Sequence, residues 1–223
     1  MNLTTSKLTA AAGLCAAAAG AIFIGVQINH PPADVDHIVT TEMALRETAK
    51  AVMAVLALVG FTGMYLNQHR RVGVLGLVGY LFLMVGYFAL FAIECIVGYV
   101  LPKVAESDPG YVQKVLDEAV GGAASGEIGH VHELFLLSGV GYALGGLLFG
   151  IALFRTGTLA RWAAALLAVA TTSALALAVL PESFNRPFAV PTGIALLGLG
   201  LSLRRNAQTD TVAMAVAAEP AVA

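Results

Sequence analysis

Charged residues are scarce in this chain: they make up 12% of 223 residues, whereas a soluble domain carries roughly 25%. Cysteines are also scarce. Both Cys15 and Cys95 lie inside apolar stretches, so we expect free buried thiols. The sequence contains no nucleotide-binding loop, no nucleophile elbow, no C-x-x-C or H-x-x-x-H metal signature and no basic patch for nucleic acid. These absences exclude the familiar motif-defined enzymes and nucleic-acid binding, and they leave isolated polar groups as the source of any chemistry.

Long hydrophobic runs dominate instead, and the mean hydropathy is +0.83. A hydrocarbon core of about 30 Å needs roughly 20 apolar residues per helix, and a backbone in lipid must satisfy its own hydrogen bonds. We therefore predict an all-α integral membrane bundle in residues 1–205, followed by a disordered cytoplasmic tail in residues 206–223. The six predicted transmembrane helices lie near residues 8–29, 48–66, 73–101, 132–154, 160–180 and 187–203.

The first of these runs could also be a signal peptide, because Lys7 precedes it and it contains several alanines. The run continues through Val26, however, which is longer than the usual core of a signal peptide. We therefore expect a retained helix.

The distribution of charge predicts the orientation. If the amino terminus is inside, the inner side holds basic residues close to the ends of the spans, as the positive-inside rule requires. These residues are Lys7, Arg70, Arg71, Arg155, Arg161, Arg204 and Arg205. Twelve of the 14 acidic residues fall on the outer side. We expect a multi-pass protein of the plasma membrane with both termini in the cytoplasm, and an outer face that is either a solubilising surface or a polar binding site.

Two further patterns concern packing. In the segment "ESDPGYVQKVLDEAVGG", Asp108 is a good N-cap and Pro109 suits a first helical turn, so we predict a short amphipathic helix on the outer surface. Glycines four residues apart, such as Gly141 and Gly145, predict close approach of helices. The same glycine-rich faces also permit an oligomer.

Glu94 is the most informative single residue, because it is an acid inside an otherwise apolar span. Ionisable groups in spans usually face the bundle or a wet cavity. Tyr80 and Tyr87 precede Glu94 at intervals of seven residues, so two phenols and a carboxyl group share one helical face. The alternative is that Glu94 reaches the membrane interface or pairs with Lys103.

The stretch "GEIGHVHELF" places ionisable groups at the start of the fourth span, among them His130, His132 and Glu133. Imidazoles suit zinc, copper or iron, and His30 and His37 could join His130 and His132 from other loops, with Glu133 or Glu94, to form a metal site. The alternative is an interfacial cap in which Glu133 complements the helix dipole.

Several segments together resemble small actinobacterial membrane proteins of unknown function, about 220 residues long. They are "QINHPPADV", "LALVGFTGMYLNQHRRVGVLGLVGYL", "GYALGGLLFGIALFRTGTLARWAAALLAV" and "VPTGIALLGLGLSL". The resemblance implies a compact helical bundle in the plasma membrane and implies no activity.

The sequence therefore favours a pocket near the outer leaflet that binds or transforms a lipophilic small molecule, such as an isoprenoid or a lipid, by acid–base chemistry. The predicted catalytic residues are Glu94, Tyr87, His132 and Glu133. The alternatives are a small transporter or efflux protein and a non-enzymatic membrane subunit. No cofactor is specified, and the predicted partners are the bilayer and the lipophilic molecule.

Overall fold

The computed structural model describes residues 4–120, 126–178 and 185–217. These residues form helices and turns without a β-strand, which confirms the all-α class. The elements are α1 (Thr5–Gly25), α2 (Val35–Ile38), α3 (Thr41–Cys95), a π-helical turn (Ile96–Val100), α4 (Leu101–Val104), α5 (Pro109–Ala119), α6 (Val131–Thr156), α7 (Arg161–Ser173), a 3-10 turn (Ala174–Ala178) and α8 (Asn185–Ala217). Among the described residues, the helical stretches long and apolar enough to cross a membrane are Thr5–Gly25, Thr41–Val104, Val131–Thr156 and Arg186–Thr209. They indicate a membrane protein.

The helix α3 is a hairpin of two antiparallel limbs. Gly73 separates the limbs with φ 61° and ψ −162°, a conformation open to glycine because it has no Cβ atom. The chain reverses there, since the rings of Tyr65 and Tyr80 stack with their centroids 4.5 Å apart. The first limb, residues 41–72, contains the predicted second span. The second limb, residues 74–95, continues through the π-helical turn and α4 to Val104 and covers residues 74–101 of the predicted third span. The predicted loop between those spans is reduced to the glycine turn.

The last two predicted spans differ more from the structure. The apolar helix Arg161–Ala176 is between 10 and 17 residues long, which is shorter than the roughly 20 residues that a perpendicular span needs. Residues 179 and 180 of this predicted span lie outside the described residues. The count of six crossings therefore stays a prediction. α8 extends to Ala217, so residues 206–217, which we expected to be disordered, are helical; residues 218–223 lie outside the described part.

Close backbone contacts join the helices, as the glycine spacing predicts. α3 packs chiefly on α6, and α1 packs on α8. A Cβ atom added to Gly86 would lie 2.7 Å from the carbonyl carbon of Gly141, and one added to Gly13 would lie 2.6 Å from the carbonyl oxygen of Gly200. Such separations exclude side chains, so these glycines serve packing within the chain.

A hydrophobic cluster, separate from the main core between the long helices, covers one end of the α3 hairpin. α5 begins at Asp108, whose side chain accepts the N–H of Tyr111 at 2.9 Å, and Pro109 occupies its first turn as expected. Its apolar face packs on α2, on the hairpin and on the segment before α6. The buried members of this cluster are Ile38, Met43, Ile93, Val97, Leu101, Val112, Val115, Leu116 and Ile128. The location of α5 outside the bilayer remains a prediction.

Candidate functional site

Glu94 lies on the second limb of α3, roughly 31 Å along the helix from the turn at Gly73. It is 7% exposed, so the prediction that this acid faces the interior is confirmed. Its Oε2 atom is 3.6 Å from Nζ of Lys50 on the opposite limb. The alternative partner, Lys103, instead pairs with Glu106 at 2.6 Å.

A second carboxyl group joins this ion pair. Glu47 lies one helical turn before Lys50, and its Oε1 atom is 2.7 Å from the Lys50 ammonium. The carboxyl groups of Glu47 and Glu94 also lie close to each other. A hydrogen bond between them requires a proton on one of the two groups, since ionised carboxylates only accept. Glu47, Lys50 and Glu94 therefore form a buried cluster of two acids and one ammonium, named here the carboxyl cluster.

The π-helical turn immediately after Glu94 shapes the carboxyl cluster. Gly98 within this turn lies against Glu47, because a Cβ atom added at Gly98 would be 2.8 Å from Cβ of Glu47. The next residue, Tyr99, shares a hydrogen bond of 2.7 Å with Thr48 on the other limb. π-helical turns inside α-helices occur frequently at functional sites. Here the turn makes room for the Glu47 side chain between the limbs.

His30, from the connection after α1, borders the carboxyl cluster. Its side chain is only 5% exposed, and its Nε2 atom lies 3.9 Å from Oε1 of Glu47. The Nδ1 atom lies 2.8 Å from the carbonyl oxygen of Pro31, to which it donates, and Arg186 donates to the same oxygen at 3.0 Å. Burial, reinforced by the positive charge of Lys50, lowers the pKa of His30 to about 4. His30 is therefore neutral near pH 7, and its Nε2 atom is a free acceptor among the described residues.

Tyr87 lies two helical turns from Glu94 and is 1% exposed. Its ring packs edge-on against Phe61, with centroids 5.3 Å apart, and lies 6.1 Å from the ring of Tyr142. The phenol oxygen of Tyr87 has no hydrogen-bond partner in the described part of the chain. Tyr87 and Glu94 therefore share one helical face, as predicted, and that face is buried in the interior.

The other predicted catalytic residues, at the start of α6, pair locally. His132 lies 2.8 Å from Glu118 and its side chain is 58% exposed. Glu133 lies 3.3 Å from His130, and its side chain is 57% exposed. Neither His132 nor Glu133 belongs to the carboxyl cluster, although the start of α6 packs on the same end of the hairpin.

The metal hypothesis finds no support in the geometry. His37 pairs with Asp34 at 2.7 Å, His130 with Glu133 and His132 with Glu118. Within residues 4–120, 126–178 and 185–217, no group of three or more His, Cys, Asp or Glu side chains could hold a metal ion. Cys15 and Cys95 are free thiols, as expected.

Glu94 and Tyr87 were predicted as catalytic residues, and His30 was considered only as a metal ligand. Glu47 and Lys50 were not predicted as site residues. Their signal was the "ETAK" stretch, in which an acid and a lysine three residues apart enter an apolar helix. No family model, curated protein or solved structure matches this chain.

Proposed function

We propose that this chain is an integral protein of a bacterial plasma membrane that crosses the bilayer six times, with both termini in the cytoplasm. The carboxyl cluster then lies near the outer leaflet. There it binds or transforms a lipophilic small molecule, isoprenoid-like or lipid-like, by acid–base chemistry. The observation that carries this proposal is the close pair of carboxyl groups of Glu47 and Glu94, both within 4 Å of the Lys50 ammonium and buried between apolar helices.

The pair supplies a transferable proton. Oε2 of Glu47 is buried and receives no N–H or hydroxyl donor from the described residues, so a carboxyl proton of Glu94 is the donor left to it. Glu94 can give that proton to a ligand, because Lys50 at 3.6 Å stabilises the carboxylate that remains. The neutral Nε2 atom of His30, 3.9 Å from Glu47, is the nearest described base that could take up a proton afterwards.

Aromatic rings lie two helical turns from Glu94, on the Gly73 side of the carboxyl cluster. Tyr87, with Phe61 and Tyr142 around it, offers apolar faces for a hydrocarbon ligand and an unused hydroxyl for an oxygen atom of that ligand. Ring faces of this kind also stabilise a cationic intermediate. His132 and Glu133, which are exposed at the same end of the bundle, contribute to the approach of a polar group and not to proton transfer itself.

The test is purification of the full chain in a mild detergent, followed by mass spectrometry of co-purifying lipids and metals. We expect a stoichiometric lipophilic compound with the wild type and at least a tenfold loss with Glu94→Gln, which keeps the shape of the side chain. The matched control is Glu106→Gln, since Glu106 is an exposed acid in a single ion pair, with a side chain 62% exposed. Equal retention by the wild type and by Glu94→Gln, or an empty wild type, contradicts the proposal.

The shared carboxyl proton also suits a proton-coupled transporter, which is the second candidate. In proteoliposomes that contain a pH-sensitive dye, a transporter moves protons in response to a gradient of its substrate, and Glu94→Gln stops that movement. A bound lipid without proton flux favours binding or catalysis over transport.

A further inference from the structure

A polar cavity lies at the opposite end of the bundle from Glu94. It has a volume of about 470 Å³ and sits beside the glycine turn of α3, between that turn, the α6–α7 connection and α8. The residues that carry the argument are Gln68, Arg70, Arg71, Thr158 and Asn206. Among the residues whose side chains the structure describes, none that lines this cavity is acidic. The carboxyl cluster and this cavity are therefore separate sites of opposite character.

The walls of the cavity present hydrogen-bond donors. Arg71 donates through Nη1 to the hydroxyl of Thr158 at 3.3 Å, a long contact that leaves most of its guanidinium free. Asn206 donates to the backbone carbonyl of Thr158 at 2.7 Å and so fixes the α6–α7 connection against α8. Arg70 and Arg71 are both exposed at the rim. Their guanidinium groups are permanently charged and match the planar arrangement of phosphate oxygens.

Gln68 provides an independent indication of a ligand. This residue is 2% exposed, and its Oε1 atom accepts the hydroxyl of Thr156 at 2.7 Å. Its Nε2 atom is buried and has no acceptor among the described residues. A buried amide N–H group without a partner is costly, by about 1–3 kcal/mol in mutational data, so an acceptor from outside the chain would relieve it.

The charge and geometry of the cavity indicate which kind of ligand could be this acceptor. The guanidinium groups of Arg70 and Arg71 and the unpaired Nε2 amide group of Gln68 all donate hydrogen bonds. The space beside them is too large for a single water molecule. Phosphate oxygens accept several charge-assisted hydrogen bonds at once, most strongly from arginine. The predicted orientation places this end at the cytoplasmic surface, where anionic lipid headgroups and free phosphate are both present.

We propose that this cavity binds a phosphate group, carried either by an anionic lipid headgroup or by a free phosphate. Arg70 and Arg71 clamp the phosphate oxygens, and the Gln68 amide group donates from the floor of the cavity. Thr158 and Asn206 hold the α6–α7 connection in place.

The experiment is isothermal titration calorimetry on the full chain in dodecyl maltoside, a detergent without phosphate. The probes are inorganic phosphate and dihexanoyl phosphatidylglycerol. The control lipid is dihexanoylglycerol, which has the same acyl chains and no phosphate. The test variant is the double change Arg70→Gln with Arg71→Gln. The matched control is Arg205→Gln, because Arg205 is an exposed arginine on α8 that does not line the cavity. Circular dichroism checks that every variant keeps its helices.

The expected result is saturable binding of phosphate or phosphatidylglycerol by the wild type. The double variant should lose at least ~10-fold in affinity, since two charge-assisted contacts are removed, while Arg205→Gln should stay within ~2-fold. Saturation with inorganic phosphate supports a free phosphate as the natural ligand, and saturation with phosphatidylglycerol alone supports a lipid headgroup. The proposal is overturned if neither probe binds the wild type more tightly than dihexanoylglycerol does. It is also overturned if Arg205→Gln weakens binding as much as the double variant.

Discussion

Replacing Lys50 with methionine should lower the free energy of unfolding much more than replacing Glu94 with glutamine. The side chains of Glu47 and Glu94 are 2% and 9% exposed, and Lys50 lies 2.7 Å and 3.6 Å from them. Lys50→Met keeps the length of the side chain but leaves the two acids without a cation. Removing one partner from a buried ion pair lowers the free energy of unfolding by about 3–5 kcal/mol.

Glu94→Gln leaves a single carboxylate beside one ammonium, and the new amide group can donate to Glu47. We therefore expect this variant to lose no more than about 1 kcal/mol, the net worth of a typical hydrogen bond. The double variant should be more stable than Lys50→Met alone, because it carries one acid fewer without a cation. The difference between the two single variants, about 2–4 kcal/mol on these magnitudes, is the quantity that tests the reasoning.

The measurement is reversible unfolding of the purified chain in mixed micelles by increasing mole fractions of sodium dodecyl sulfate. Trp162, the single tryptophan, reports the transition by its fluorescence. An equal loss of stability in Lys50→Met and Glu94→Gln would refute the charge balance proposed for the carboxyl cluster. So would a double variant that is less stable than either single variant.

Three further predictions use the same unfolding assay. Tyr87→Phe should change the free energy of unfolding by less than about 1 kcal/mol, because the phenol has no described partner; a larger loss would show that the hydroxyl is bonded. Gly20→Val should cost about 1–3 kcal/mol, since a Cβ atom there meets the carbonyl of Gly193 on α8. Gly25→Val is its control, with nothing within 4 Å of the added atom, and similar losses in both would contradict the packing. Below pH 6.5 the unfolded chain protonates His30, whereas the folded chain does so only near its pKa of about 4. The free energy of unfolding should therefore fall, by up to about 3 kcal/mol, as the pH is lowered through this window. The His30→Gln variant should lack this part of the pH dependence. If its free energy of unfolding follows the same pH profile as that of the wild type, His30 is not buried as a neutral histidine facing Glu47, Lys50 and Arg186.

Hydropathy predicted most of the helical architecture, because each span must be long enough to cross the bilayer and must form its backbone hydrogen bonds within its own helix. Both requirements are local in the sequence. The run that became α6 was predicted within two residues at each end, residues 132–154 against Val131–Thr156. The glycine turn was not predicted, since a single residue with positive φ leaves no compositional signal when helices flank it on both sides. The extension of α8 beyond residue 205 was also missed, because alanine favours a helix without adding the large apolar side chains that hydropathy detects.

The candidate site was predicted only where it depended on one helix. Glu94 and Tyr87 share a face by helical periodicity, and the structure keeps them together. Lys50 was missed as the partner of Glu94 because that pairing depends on how the two limbs of α3 align, which sequence spacing does not encode. His132 and Glu133 were grouped with Glu94 by their depth in the membrane, but depth alone says nothing about which side of a helix a residue occupies.

The contact between α1 and α8 has a consequence for biogenesis. α1 has its most extensive interface with α8, which follows it in the chain by about 160 residues. Until α8 has been synthesised, the small-residue surface of α1 that receives it has no intramolecular partner and must face lipid or an insertase. The packing of α1 is therefore completed only when α8 docks against it.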